Sequence, residues 1–304
     1  MNRKRIVIAG GSGFIGTALV REFSARNYEV VILTRLPRER SDGVREAEWD
    51  GEHIGEWIQF LDGAEAVINL AGRTVHCIHS PENLRQINES RVNSVRAIAG
   101  AFEHIGHLPR VWVQASGIGF YGDCGSRRCD ETTPNGTNHL ALICRNWEGA
   151  FNSADTKNSR RVILRIGMVL GLGGGGFPVM AKLTKYFLGG SAGNGGQYLS
   201  WIHLADLERM FVAAVENDNL LGIFNAVAPN PLTNAEFMDE LRRALHRPWS
   251  PPVPEFAVRI GARLMKTEPS FALESCRCTP EKFLAVGFQF QFSNLRAALE
   301  NLCR

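Results

Sequence analysis

Residues 3–16, Arg3-Lys-Arg-Ile-Val-Ile-Ala-Gly-Gly-Ser-Gly-Phe-Ile-Gly16, decide the fold of this chain. Arg5 to Ala9 is an apolar run of the kind buried in a parallel sheet, and Phe14, Ile15, Ala18, Leu19 and Phe23 then recur at helical spacing. Gly10, Gly13 and Gly16, spaced G-x-x-G-x-x-G, therefore fall on a strand-to-helix turn, where a dinucleotide pyrophosphate is held. Glycine lets the backbone turn sharply and approach phosphate oxygens without a Cβ, while the free N–H groups and dipole of the new helix attract the anion. The alternative is a glycine turn that only packs helix on strand. The position of the motif between a first strand and a helical pattern argues against it.

The chain has 304 residues, 21% of them charged and 44% hydrophobic, with a net charge of +3. That is the balance of a soluble globular protein without a basic stripe, so no nucleic-acid partner is expected. No stretch approaches the roughly eighteen uncharged apolar residues of a membrane-spanning helix. MNRKR followed by IVIAGG imitates a signal peptide, but the apolar run is short and broken by glycines, so a cytoplasmic or organelle-matrix protein is expected. Seven cysteines at 77, 124, 129, 144, 276, 278 and 303 are odd in number and scattered, which reads as reduced thiols. His76-Cys77-x-His79 and Cys276-x-Cys278 lack C-x2-C or H-x3-H spacing, so no metal site is expected. The length fits one large α/β domain, residues 1–247, with a smaller appendage, 248–304.

The next apolar run, Val30 to Leu33, leads into Thr34-Arg35. An acidic residue there would bind the ribose hydroxyls of NAD, whereas a basic residue beside a hydroxyl suits the 2′-phosphate of NADP. The competing reading of Arg35 is a solvated loop residue. Ala66 to Gly72 is a strand ending in small residues, against which a cofactor can lie flat. The spacing from Asn83 to Ile105 predicts a long crossover helix, whose Arg91 either reaches the cofactor phosphates or sits on a solvated face.

Val111 to Ala115 is another strand, and it delivers Ser116-Gly-Ile-Gly-Phe-Tyr-Gly122 to the carboxyl edge of the sheet, where ligands bind in open α/β folds. Ser116 either hydrogen-bonds a substrate carbonyl or hydroxyl there or caps a turn. Leu140, Ile143, Trp147 and Phe151 mark the following helix, with Cys144 close to its packed face. Beyond the strand at Val162 to Ile166, the glycine runs 173–176 and 189–196 flank a helix over Phe177 to Leu188. That insertion either closes over a substrate or is a surface excursion. His203, where a strand meets a helix, reads as structural. Thr233-x-x-Glu236 is a capping box, and after the prolines at 248, 251, 252 and 254 the last fifty residues return to helical spacing.

As a set, A9-G-G-S-G-F-I-G16, N69-L-A-G72, S116-G-I-G-F-Y-G122, R165-I-G-M-V-L-G171 and W201-I-H-L-A-D206 resemble the extended short-chain dehydrogenase/reductase superfamily in order and spacing. More narrowly, N-E-S-R91-V-N-S, C144-R-N-W-E148 and A-P-N-P-L-T-N-A-E-F237 resemble its epimerase branch, related to nucleoside-diphosphate-sugar epimerases. Members of that branch end in a small domain of unknown function, which residues from about Pro251 onward resemble. The resemblance implies a Rossmann-type doubly wound parallel sheet with a small, mostly helical C-terminal domain. It also implies NADP(H) bound by Gly10, Ser12, Gly13, Phe14 and Ile15 at the pyrophosphate, Thr34 and Arg35 at the 2′-phosphate, and Leu70, Ala71 and Gly72 along the adenosine, with Arg91 joining them.

One departure bears on chemistry. Most extended members carry Tyr-x-x-x-Lys on the helix after the serine strand, and here Leu140 and Cys144 fall at those positions. A tyrosine beside an ammonium delivers or removes a proton as hydride moves; neither leucine nor cysteine does so. Tyr121, Asp130 and Glu131 are the replacements near that edge, with Tyr121 the first candidate and Ser116 its catalytic companion. Two readings stay open: an NADP-dependent oxidoreductase or epimerase acting on a small polar substrate, or a non-catalytic NADP(H) sensor or assembly factor. The oligomeric state is left open, a homodimer included.

Overall fold

The computed structural model describes residues 3–156 and 159–303. Its centre is a seven-stranded parallel sheet made of β1 (Arg5–Ala9), β2 (Glu29–Thr34), β3 (Arg45–Glu48), β4 (Ala66–Asn69), β5 (Val111–Gly117), β6 (Arg160–Ile166) and β7 (Gly222–Ala226). The strands lie in the order β7-β6-β5-β4-β1-β2-β3. The order reverses beside β1, and in such sheets the crevice at the carboxyl ends of the strands on either side of that point is where a dinucleotide sits.

Strand periodicity divides the core in two. Ile6 and Ile8 of β1 point to one face, where they meet Leu19 and Phe23 of α1 (Phe14–Ala25). Val7 and Ala9 point to the other, against Val95 and Ile98 of α2 (Pro81–Phe102) and Trp147 and Phe151 of α3 (His139–Ser153). Ser80 caps α2 through the Asn83 N–H, with Pro81 at its first position, and Asn138 caps α3 through the Ala141 N–H. Helix α4 (Phe177–Lys185) follows the first glycine run, and α5 (Leu204–Glu216) returns to the α1 face, where Met210 and Phe211 are fully buried. The expected helix over 83–105 ends at Phe102, short of Ile105, and the one over 177–188 ends at Lys185.

The C-terminal region shares its core with the sheet domain. Helix α6 (Asn234–Ala244), opened by the Thr233–Glu236 capping box, buries Phe237 and Leu241 against Leu295 and Leu299 of the last helix. Three helices precede that one, α7 (Glu255–Leu264), α8 (Ser270–Leu273) and α9 (Glu281–Ala285), and the last helix is α10 (Leu295–Leu302). Phe283 of α9 reaches back to the sheet, 5.0 Å from the Phe224 ring on β7. Residues Arg277–Cys278 also pair in parallel with Arg128–Cys129, so the two regions are joined by backbone hydrogen bonds as well as by packing.

Candidate functional site

The glycine turn is built as a cradle. Gly10 has φ +77°, and at Gly16 a Cβ would stand 2.5 Å from the Gly10 carbonyl oxygen, so the start of α1 lies directly on the turn. Gly13 is the N-cap of α1 and supplies no side chain to its free N–H groups. Ser12 and Gly13 are exposed, while Phe14 and Ile15 are half-buried. These first-turn donors point out of the sheet edge with the positive end of the helix behind them.

The other cofactor candidates surround this turn. Leu70, Ala71 and Gly72 continue from β4, with the Ala71 nitrogen 3.1 Å from where a Gly10 Cβ would lie. Arg91 packs against Gly72, donates to the carbonyls of Arg73 (2.8 Å) and Ile87 (3.1 Å), and stacks 5.0 Å over the Trp147 ring. Among the described residues no carboxylate pairs with it. Thr34 ends β2 and Arg35 follows it as an exposed residue, likewise without a carboxylate partner among the described residues. Neither guanidinium is offset by a carboxylate among the described residues, although burial weakens the hold of Arg91 on its proton.

Ser116 and Tyr121 belong to one buried polar chain. The Ser116 hydroxyl donates to Glu148 Oε1 at 2.7 Å. Arg165 grips the same carboxylate with two bonds, Nε to Oε1 at 2.8 Å and Nη2 to Oε2 at 2.7 Å, and its Nη1 donates to the Tyr121 hydroxyl at 2.9 Å. Tyr121 donates in turn to Asn225 Oδ1 at 2.7 Å, and Asn225 Nδ2 donates to the Thr279 carbonyl at 3.0 Å. Tyr121 is 1% exposed, and burial pushes its phenol well above the usual range. As the structure stands, its proton is held by Asn225 inside the core and does not face the sheet edge. The Ser116 proton is held by Glu148, so a carbonyl substrate finds no donor there while the oxygen's lone pairs remain.

Leu140 and Cys144 lie one turn apart on α3, beside Gly117 and Gly119. Burial pushes the Cys144 thiol up to about 11. The place where the resemblance expects a phenol and an ammonium is apolar and neutral. Asp130 is spent on its own turn, accepting from Thr132 and Thr133, and the Thr132 hydroxyl holds its carboxyl below the usual range. Glu131 accepts from the backbone of Asn225 at 2.9 Å and of Lys282 at 3.4 Å. Glu131 thus serves the joint with the C-terminal region, and Asp130 its own turn. His203 caps α5 through the Ala205 N–H at 3.1 Å and lies 4.0 Å from the Phe292 ring, a structural role.

The first glycine run closes over the cofactor side. A Cβ at Gly174 would stand 2.8 Å from Phe14 Cγ, so this loop is moulded on the residue that opens α1. The second run meets the C-terminal region, where Gly193 N–H donates to the Val253 carbonyl at 2.9 Å. Between the second run and the C-terminal region lies a cleft of about 700 Å³ lined by Asp123, Asn194, Gln197, Arg259, Glu268 and Glu274. Its far wall touches the loop after β4: Phe271 lies 4.9 Å from the His76 ring and 5.6 Å from the His79 ring. His76 and His79 are thus aromatic contacts of that wall.

A family model described as the NAD dependent epimerase/dehydratase family matches residues 6–226. The chain belongs to this family. A second model, a domain of unknown function, DUF1731, matches residues 253–302. Epimerase family protein SDR39U1 of Homo sapiens is 33% identical over 307 residues, 98% of this chain and 99% of the relative. The Arabidopsis thaliana homolog, described as chloroplastic, is 33% identical over 299 residues, 97% of this chain and 85% of its own. A crystal structure of the human epimerase family protein with NADPH superposes with a TM-score of 0.88 at 31% identity, covering 98% of this chain and 99% of that one. UDP-N-acetylglucosamine 4-epimerase from Bacillus cereus, at 18% identity and a TM-score of 0.74 over 99% of this chain and 95% of its own, shares the fold.

The geometry departs from the sequence reading at the catalytic pair. Glu148 and Arg165 stood inside the quoted motifs without a role, and they are what hold Ser116 and Tyr121. Two charged residues among the apolar positions of a packed helix and a buried strand were the available signal, since such residues are seldom buried unless paired.

Proposed function

We propose that this protein binds NADP(H) along the glycine cradle and transfers hydride to or from a small polar substrate, nucleotide-linked or free, in the cleft beneath the C-terminal region. The observation that carries the cofactor reading is the unpaired charge of Arg35 at the end of β2, beside the Thr34 hydroxyl, where a ribose-binding carboxylate would stand in an NAD-specific protein. NADPH in the human relative supports it. Arg91 and the uncapped start of α1 supply the remaining positive field.

Bound nicotinamide would supply or accept the hydride. The chain's own contribution is orientation and the handling of one proton. Ser116, whose proton rests on Glu148, is fitted to accept a hydrogen bond from a substrate hydroxyl and so to hold an alcohol at the sheet edge. With Leu140 and Cys144 in place of the usual couple, the roughly 10²–10⁴ that a positioned acid or base supplies is missing. Turnover on ordinary sugar-nucleotide substrates is therefore expected to be weak or absent. Those two residues favour the second reading, a cofactor-binding sensor or assembly factor. The unpaired thiols suit a reducing compartment, cytoplasm or organelle matrix.

Calorimetric titration with NADPH and NADH tests the cofactor reading, and equal dissociation constants would overturn it. Incubating the NADPH-loaded protein with a metabolite mixture while following cofactor absorbance separates the two roles: a sensor leaves the absorbance unchanged.

A further inference from the structure

The cleft between the second glycine run and the C-terminal region carries an uneven charge. Of the charged side chains in its wall, four are carboxylates, Asp123, Glu255, Glu268 and Glu274, and one is a guanidinium, Arg259. Arg259 lies one turn along α7 from Glu255 and pairs with it, Nη2 to Oε1 at 2.6 Å, so its charge is already taken. The other three carboxylates accept from neutral donors. Asp123 Oδ1 takes the N–H groups of Gly125 and Ser275 at 3.1 and 3.2 Å, Glu268 Oε2 the His79 N–H at 3.2 Å, and Glu274 Oε2 the Asn138 Nδ2 at 2.9 Å. Among the described residues no lysine or arginine pairs with any of these three. Burial, and after it the neighbouring charge of Asp123, pushes the Glu274 carboxyl above its usual range.

Gln197, in the same wall, points to the same kind of ligand. It is 8% exposed, and its Nε2 donates to the carbonyls of Ala192 at 3.0 Å and Ala272 at 2.6 Å. Carbonyls only accept, so the two bonds settle which end of the amide is nitrogen and leave Oε1 as the free end. That oxygen keeps accessible surface and accepts from no described residue. A side chain more than nine-tenths buried thus spends its donors on the backbone and presents a bare acceptor to the cleft, which an N–H group of a ligand would satisfy.

We propose that this cleft selects a substrate carrying a protonated amine, held by Asp123, Glu268, Glu274 and Gln197, and rejects nucleoside diphosphates. The inference rests on the cleft being the substrate site of the hydride-transfer reading above, and it narrows that reading to a free, amine-bearing polar molecule. An ammonium brings up to three N–H donors together with the charge that offsets the carboxylates, and charge-assisted bonds of this kind are roughly twice as strong as neutral ones. A diphosphate would add negative charge to a wall whose one cation is already paired, and like charges set together cost affinity. The charge suits an organic cation and not a metal ion, since among the described residues no group of three or more His, Cys, Asp or Glu side chains is placed to hold one. Ser116, fitted to accept from a substrate hydroxyl, makes amino alcohols and amino sugars the molecules to try.

The test uses the full-length protein, with and without NADPH, and matched probes titrated by saturation-transfer NMR at neutral pH: glucosamine against glucose, 1-amino-2-propanol against 1,2-propanediol, and UDP-glucose. Each amine is expected to bind at least about tenfold more tightly than its neutral counterpart, and UDP-glucose no more tightly than glucose. The double variant Asp123→Asn, Glu274→Gln removes two charges while keeping the acceptor oxygens, and it is expected to lose most of the amine preference, with thermal melting as the check that it is folded. Because a variant can fail to fold, the wild-type ratios decide by themselves. Equal affinities for amine and neutral counterpart would overturn the proposal, as would no detectable binding of either amine. UDP-glucose binding more tightly than glucosamine, or an amine preference unchanged in the folded double variant, would do the same. Failure of the hydride-transfer reading is a separate result: amine preference intact, with NADPH either unbound or unchanged in absorbance by any of the probes or by the metabolite mixture.

Discussion

Glu148 receives three hydrogen bonds, one from Ser116 and two from Arg165, at only 4% exposure. A buried ion pair contributes little net stability when intact, but removing one partner strands the other charge, at a cost of about 3–5 kcal/mol. Glu148→Gln is therefore expected to lower unfolding free energy by that amount, read from urea denaturation, and a loss under about 1 kcal/mol would show that solvent reaches Arg165. At the same scale, Arg35→Asp is expected to reverse the cofactor preference. A charge-assisted hydrogen bond contributes about 1.5–3 kcal/mol, roughly tenfold to a hundredfold in affinity, and calorimetry with both cofactors measures it. Cys144, with its thiol pushed up to about 11, is expected to resist iodoacetamide at pH 8 in the native protein and to react once unfolded. The sign for stability follows: the fold retains this proton while the unfolded thiol ionises near pH 8.5, so the group's contribution declines as pH rises from there toward 11. The position of Arg35 just past β2 was legible in the sequence because the apolar run before it is local. The partners of Ser116 were not, because they come from α3 and β6 and only the folded sheet brings them together.

At the scale of elements, the strands and helices that bury one regular face were legible and the others were not. β1 spans Arg5–Ala9 as its apolar run predicts, and α3 covers the positions from Leu140 to Phe151. β3, Arg45-Glu-Ala-Glu48, carries no apolar alternation. It exists because β2 offers an unpaired edge, with Val31 and Thr34 opposite Arg45 and Glu48. The insertion flanked by the glycine runs stayed open between a closing element and a surface excursion because glycine composition carries no information about what the backbone packs on, and the nearer run proves to lie on Phe14. The start of α1 gives the sharpest test at this scale. In Gly16→Ala the new Cβ would stand 2.5 Å from the Gly10 carbonyl oxygen, so either helix or turn must shift. NADPH affinity is expected to fall at least about tenfold, the effect of misplacing a single phosphate contact. An unchanged dissociation constant would show that the cofactor does not rest on this turn.

Across the whole molecule, the prolines at 248–254 punctuate the chain without dividing its core. The last fifty residues hold too little apolar surface to fold alone, so their buried side chains must be completed by the sheet domain, and the sheet domain's by them. Phe283 fills the face of the sheet that α1 and α5 cover, and Leu295, Leu299 and Leu302 complete the core begun by Phe237 and Leu241. Asn225 on β7 hydrogen-bonds Thr279, and the backbones at 128–129 and 277–278 pair. The expected consequence is that a chain ending at Arg247 does not behave as a smaller cofactor-binding domain. Removing Phe283 alone opens a cavity against Phe224 worth about 3–5 kcal/mol, comparable to much of a domain's net stability. The truncated chain is expected to lose cooperative thermal unfolding and NADPH binding together. If it melted in one sharp transition and bound NADPH as the full chain does, the C-terminal region would be an independent module, and its place as a wall of the cleft would be lost with it.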